Sequence, residues 1–388
     1  MDVLLAVASS PDTPPEVRSG LYKRYSGELS RPGVALSEQS DVAVVVVVTG
    51  GSENEILASS RSYNILLAWP QYNSLPSALE AAALRDSGRW VRVIRSSYGE
   101  PLGEALVKSL RLVQLMKAGT PKFGLIGSPN AWLVSSNFSL ATVDRVPLED
   151  SLRLADAAKG ADDARELVAR ADSSEFSERQ IMPMTAYARA LESLAKARGW
   201  DGLTLGCWCF DRRAIAGIGW TPCISLAVLN QLGVPAACEG DLRALYSMYV
   251  LAKLSGGPSW MGNINMAEGD LLLLTHDGAP PAMAEEYSLV KRMGTGAPAA
   301  IRAQVGSGRP ATLMRVSADL KRALLLKAVT VEVERIEACN TQIGFKLLNG
   351  TADDVLKASL GNHLAFVLDD VYDEAKEYLV HVGARVIP

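Results

Sequence analysis

Histidine is the scarcest ionisable residue of this 388-residue chain: His276, His363 and His381 are the only three. Any site that needs imidazole is confined to those positions. Cysteine is sparse as well. There are five, an odd number spread over a long chain, which argues against the dense disulfide framework of a small secreted domain and reads as buried thiols. Long apolar runs are missing. The most hydrophobic stretch, 42–48, is far short of the roughly 20 residues that span a bilayer. The N-terminus, Met1-Asp-Val-Leu-Leu-Ala-Val-Ala8, carries an acid where a signal peptide has its basic region, so it reads as a first strand. There is no excess of positive charge: 39 Lys and Arg against 43 Asp and Glu give a net charge of −4. That provides no field for a nucleic-acid backbone or an anionic membrane. With no repeat and no low-complexity tract, the expectation is a cytoplasmic protein whose partners are small molecules, with no nucleic acid and no membrane among them.

What is present is a large apolar fraction, 48%, on a chain long enough for two or three cores. Over 1–120, strands at 3–8, 42–49, 64–69 and 90–94 alternate with helices near 75–85 and 100–117, the pattern of a parallel sheet covered on both faces. Gly50-Gly51 follows the valine run, but no Lys-Ser/Thr or Gly-x-Gly-x-x-Gly continues it. It reads as a tight strand-to-helix turn, and no nucleotide is expected. A second α/β unit, 121–255, is read from a strand at 122, a helix over 182–198, a strand at 202–207, a helix over 222–232, a strand at 234–238 and a helix over 241–255. Thr221 is expected to cap the 222–232 helix, with Pro222 in its first turn and Gly233 closing it. Asp241 is expected to cap the last helix. After Gly256-Gly-Pro258 the character turns to strands at 260–266, 271–275, 311–318 and 324–333, then a helix over 369–382 and a strand at 385–387, so 256–388 reads as a β-rich domain. The fold class is α/β: two Rossmann-like parallel-sheet domains followed by a β-rich, barrel-like C-terminal domain.

Glu239 is the centre of the chemistry. It ends the short strand 234–238 just before a helix, where open α/β sheets place ligand-binding residues. Met266-Ala-Glu-Gly-Asp270 reads as a hairpin turn, which would put Asn263 and His276 on neighbouring rungs facing the same site. His363, on a Gly-Asn turn before the final helix, is a plausible ligand or proton carrier. His381, near a helix C-terminus, reads as structural. Glu239, Asn263, His276 and His363 together would make an oxygen-and-nitrogen site suited to Mn²⁺, Mg²⁺ or another divalent ion. The alternative is a buried glutamate paired with an arginine and two ordinary loop histidines. Cys207-Trp-Cys209 reads as buried packing, with a thiol–metal or redox pair as the alternative. Arg212 and Arg213, at the end of the 202–207 strand, suit a polar or anionic substrate as well as a surface ion pair.

Five segments carry a resemblance: Gly124-Leu-Ile-Gly-Ser-Pro-Asn-Ala-Trp-Leu133, Gly219-Trp-Thr-Pro-Cys223, Pro235-Ala-Ala-Cys-Glu-Gly-Asp241, Gly256-Gly-Pro258 to Gly262-Asn263, and Gly361-Asn-His363. From about 120 onwards the chain resembles the L-fucose isomerase and L-arabinose isomerase superfamily, and more closely its shorter fucose-isomerase-related members. The resemblance implies a metal-dependent aldose–ketose isomerase in which a divalent ion, usually Mn²⁺, holds the sugar's O1 and O2 while a carboxylate moves a proton between C1 and C2 through an enediol. It implies Glu239 as the catalytic, metal-ligating glutamate and His363 as the late metal-ligating histidine. Asn263 and His276 are further ligands on this reading, and Trp220, Arg212, Arg213 and Asn362 are substrate contacts. It also implies a homo-oligomer, trimer or hexamer. At position 263, where the family carries a second catalytic aspartate, this chain has asparagine, which can ligate but cannot act as a base; Glu268 or Asp270 would be the substitutes. A non-catalytic sugar-binding or regulatory protein, and a metal-assisted aldolase or epimerase, are the alternative functions.

Overall fold

The valine run forms the middle strand of the first sheet. In the computed structural model, which describes residues 1–30, 33–98, 103–209 and 211–388, strands β1 (Asp2–Ala8), β2 (Ala35–Leu36), β3 (Val42–Val47), β4 (Tyr63–Ala68) and β5 (Trp90–Arg95) lie parallel in the order β2-β1-β3-β4-β5. Every residue of β3 is buried, because a central parallel strand is covered on both faces. Val42, Val44 and Val46 pack against Leu21, Tyr25 and Leu29 of one helix and Leu106, Leu110 and Val113 of another. Val45 and Val47 pack on the other side with Ile56 and Ala78. This unit spans Met1–Lys117. Its helix Pro15–Ser30 buries only Leu21, Tyr25 and Leu29, a stripe one residue wide, which is why the sequence did not reveal it. The expected helix over 100–117 is observed as Gly103–Lys117; residues 100–102 lie outside the described residues.

The second unit spans Ala118–Pro388 and contains both a parallel sheet and a barrel. Strands β6 (Lys122–Ile126), β7 (Thr142–Val146), β9 (Gly202–Leu205) and β10 (Ala236–Ala237) form a parallel sheet in the order β10-β9-β6-β7, while the short β8 (Ser173–Ser174) pairs elsewhere. The strands expected at 202–207 and 234–238 are shorter than their apolar runs, because the chain turns out of the sheet at Gly206 and at Cys238. The helix expected to start at 222 runs Cys223–Gln231 with Pro222 as its cap residue, and no side chain caps it. The Thr221 hydroxyl instead faces Cys223 Sγ at 3.5 Å and the carbonyls of Pro298 and Ala299 at 3.4 Å.

Strands β11 (Trp260–Glu268), β12 (Leu271–His276), β13 (Glu286–Val290), β14 (Ala300–Gln304), β15 (Pro310–Val316), β16 (Arg322–Val331), β17 (Thr341–Leu347), β18 (His363–Val367) and β19 (Arg385–Ile387) follow. Six of them close a barrel, β15-β18-β11-β12-β17-β16, with β16 pairing back onto β15 and every pairing antiparallel. Closure leaves no unpaired edge. β19 runs parallel to β16 outside it, and β14-β13-β8 make a separate three-stranded sheet. The fold is therefore mixed α/β, with two parallel sheets and a closed antiparallel β-barrel. Among the described residues no helix is long and apolar enough to cross a membrane.

Candidate metal centre

The parallel sheet of the second unit changes direction between β6 and β9, since the chain leaves β6 towards β7 and leaves β9 towards β10 on the other side. Open α/β sheets form ligand crevices at such a point, outside the carboxyl ends of the strands. An open cleft of about 770 Å³ lies there, lined by residues that include Ser128, Asn130, Arg145, Cys207, Trp208 and Asp211. Its floor needs glycine. A Cβ on Gly206 would lie 2.1 Å from the Ser128 carbonyl oxygen, and one on Gly240, whose φ is +74°, would lie 2.5 Å from Pro129 Cα. The loop after β6 therefore presses directly on the loop after β10. The Asn130 amide donates to the Glu239 carbonyl at 3.0 Å, and the Asn130 side chain exchanges two 2.8 Å bonds with the Cys207 backbone.

Glu239 is the last residue before Gly240, and its own φ is +66°. That left-handed conformation costs a residue with a Cβ about 1 kcal/mol. Held so, its side chain is buried, 8% exposed, and meets the two histidines. Glu239 Oε1 lies 3.9 Å from His276 Nε2, and Oε2 lies 3.8 Å from His363 Nε2. One donor atom from each of the three residues falls within 4.8 Å of the other two.

The barrel sets the histidines. His276 ends β12 and His363 begins β18, with β11 between them: Asn263 stands opposite Thr275 on one side and His363 on the other. His363 is thus a strand residue and not the loop residue expected from its Gly-Asn neighbours. Each imidazole has its Nδ1 committed. That of His276 donates to the Asp277 carbonyl at 3.0 Å, and that of His363 to Asp241 Oδ2 at 2.9 Å. Such bonds fix which ring nitrogen faces a site. Both Nε2 atoms are buried and have no hydrogen-bond partner among the described residues. Burial, and then the neighbouring His363, hold the His276 imidazole below its ordinary value, against the pull of Glu239 and Asp277. Its neutral form, the one that binds metals, is favoured.

Behind Glu239, His276 and His363 stands a further layer of polar side chains. Asp241 caps the helix Leu242–Ser255 as expected, accepting from the Arg243 and Ala244 amides at 3.0 Å. Its other oxygen takes both His363 and Arg315 Nη1, the latter at 2.6 Å, with both partners fully buried. Burial alone would raise the Asp241 carboxyl, but Arg315 and His363 more than offset it and hold it at about 2. Arg315 also donates to the Leu360 carbonyl and to Ser135. Asp277 is held by the backbone and side chain of Asn340 at 2.9 and 2.8 Å. Asp241 and Asp277 adjoin Glu239 and His276 in sequence, and that adjacency was the available signal for their role. Arg315 could be flagged only as a charge inside an apolar strand, and Trp132, which donates from Nε1 to Glu239 Oε2 at 2.8 Å, had no signal beyond its place in a motif.

Two buried imidazole nitrogens converging with one carboxylate within 4.8 Å are donor atoms suited to a divalent cation. Glu239, His276 and His363 are the residues that would hold it. Asn263 lies beside them in register, its Oδ1 accepting from Asn362 Nδ2 at 2.7 Å. Glu268 and Asp270 do not substitute for the missing carboxylate: they stand at the exposed tip of the β11–β12 hairpin, with Glu268 opposite Leu271, about 17 Å along the strand from Asn263 at 3.4 Å per residue. Trp220 is buried in an aromatic cluster, its ring 5.5 Å from Tyr187 and 5.4 Å from Trp208, and its carbonyl accepts from Trp208 Nε1. Arg212 and Arg213 begin the exposed helix Arg212–Ile218, and the residues on either side of the pair, Asp211 and Ala214, line the cleft. Cys207 and Cys209, expected as packed thiols, are joined as a disulfide; both sulfurs belong to one turn beyond β9, which brings them together locally.

No family model matches the chain. Two curated proteins do: the sulfoquinovose isomerases of Priestia aryabhattai and Priestia megaterium are each 26% identical to it over 200 residues, 47% of this chain and 42% of theirs. The match thus spans less than half the length of those relatives.

Proposed function

We propose that the chain is a divalent-metal-dependent aldose–ketose isomerase acting on a monosaccharide, of the fucose-isomerase-like kind. The observation that carries the reading is the pair of partnerless Nε2 atoms facing Glu239; the similarity to enzymes named sulfoquinovose isomerase supports the reaction class. A divalent ion, Mn²⁺ on the resemblance, would polarise the sugar carbonyl. Glu239 takes the proton from one of C1 and C2 and returns it to the other. Asp241 and Asp277 hold the two imidazoles in the ligating orientation. Arg212 and Arg213, flanked by cleft residues, are assigned to a polar or anionic end of the sugar. The division of the chain near 120 and 255, a trimeric or hexameric assembly and a cytoplasmic location belong to the same reading. Its test is incubation of the Mn²⁺-loaded protein with aldoses and ketoses in D₂O, followed by NMR. Interconversion with deuterium gained at C1 or C2 supports it, whereas carbon–carbon cleavage or simple inversion at one carbon would assign an aldolase or epimerase.

A second reading, a sugar-binding protein without turnover, is favoured by one feature: position 263 is an amide already bonded to Asn362. Asn263→Asp separates the two. Isomerase activity that appears only in that variant would mean the site has kept its ligands and lost a base.

A further inference from the structure

We propose that Trp132 is the positioning residue for Glu239, fixing the plane of its carboxylate so that each oxygen faces one imidazole; this rests on the metal-site reading above. A glutamate's terminal torsion is broad and roughly two-fold, so the carboxylate needs a fixed donor to present Oε1 to His276 and Oε2 to His363. The Trp132 indole N–H supplies one, at 2.8 Å from Oε2.

The contact is built into the fold, since both ends of the loop carrying Trp132 are tied to the residues that flank the site. Before it, Asn130 bonds the Glu239 carbonyl and the Cys207 backbone. After it, the Ser135 carbonyl and hydroxyl accept from Arg315, the same guanidinium that holds Asp241. The Ser136 carbonyl accepts from the Leu242 amide at 2.9 Å, and Asn137 accepts twice from Arg243. The indole is therefore aimed from the same frame that sets Glu239, Asp241 and His363. Yet Trp132 is 51% exposed. A large aromatic left half in solvent gives up apolar burial, yet the position keeps its N–H on the buried Glu239 carboxylate.

Two variants separate the N–H from the ring. Trp132→Phe keeps an aromatic face and removes the donor, and Val134→Ala, at a 94% exposed position of the same loop, controls for loop disturbance. Calorimetric titration of the full chain with Mn²⁺ is expected to show W132F weakened about tenfold, the lower end of what partners behind metal ligands contribute, and V134A unchanged. In the active protein W132F lowers kcat more than it raises KM. A metal-free measurement accompanies the titration: the ¹H–¹⁵N indole signal of Trp132, identified by its loss in W132F, is expected to move in Glu239→Ala and to stay in Glu55→Ala. An indole signal unmoved by E239A overturns the proposal, as does W132F binding Mn²⁺ like the parent. If the parent itself binds no Mn²⁺ while the signal moves, the positioning contact stands and the metal reading is the one that fails.

Discussion

The two parallel sheets of this chain each bring polar groups to the carboxyl edge where the strand order turns, and the two edges are chemically opposite. In the first unit the Ser9 amide donates to Glu55 Oε2 at 3.0 Å, Arg18 grips both oxygens of the same carboxylate at 3.1 and 3.0 Å, and the Ser10 amide donates to Thr49 Oγ1 at 2.7 Å. The Gly50 amide, which a phosphate loop would aim at a ligand, donates to the Tyr72 carbonyl. In the second unit the carboxylate at the equivalent edge faces two buried imidazole nitrogens that have no partner among the described residues. A glutamate at a sheet edge therefore does not mark a site by itself. What marks it is two buried imidazole nitrogens converging with the carboxylate within 4.8 Å, a donor set that a lone buried hydroxyl such as Ser9 Oγ at the first edge does not make.

The contrast can be broken by substitution. Its largest expected effect is at Glu239→Gln or His363→Ala, each of which removes a ligand: Mn²⁺ affinity falls by more than about 100-fold, beyond what partners behind the ligands contribute. Asp241→Asn comes next. It leaves the buried Arg315 guanidinium without its counter-charge, and urea unfolding followed by a probe in the second unit should show a loss of about 3–5 kcal/mol. Mn²⁺ affinity in the folded variant drops about 10–100-fold. Glu55→Ala, the matching change at the first unit's edge, removes a pair that is 39% exposed on both sides and the acceptor of the Ser9 amide; it costs about 1–3 kcal/mol and leaves Mn²⁺ affinity at the parent value. A loss of metal there would erase the distinction between the two edges.

The smallest effect concerns the thiols. Burial pushes Cys223 and Cys339 up to about 12 and Cys238 well above its ordinary value, so at pH 8 these groups hold their protons and none is a ready nucleophile. An aromatic disulfide reagent should find no fast-reacting thiol in the native chain. In urea it should find three without reductant and five after reduction, because Cys207 and Cys209 are bridged. A fast native reaction, or five thiols without reductant, would contradict that arrangement.

The alternation of strands and helices in the first unit was legible because apolar runs such as the valines of β3 have one meaning in a covered sheet. Glu239 and Asn263 were placed by local geometry: a strand end before a capped helix, and a hairpin whose register puts Asn263 opposite Thr275. His363 was picked out by scarcity and by its Gly-Asn neighbours, although its strand, β18, was not foreseen. Its apolar run is five residues long and acquires its meaning only from β11 and β15 on either side. Trp132 and Arg315 were out of reach, since their partners lie 107 and 74 residues away in the chain and neither periodicity nor spacing carries that information. The sequence predicts Asp241 as a helix cap, and it is one. Its second oxygen, committed to His363 and Arg315, has no expression in the local pattern.

Metal content of the purified chain, measured by elemental analysis for the parent, Glu239→Gln and His363→Ala, tests the central claim most directly. One divalent ion per chain is expected in the parent and a loss in both variants, with Glu55→Ala retaining it. A parent that carries no metal after incubation with Mn²⁺, or variants that retain it in full, would contradict the assignment of Glu239, His276 and His363 as a metal centre.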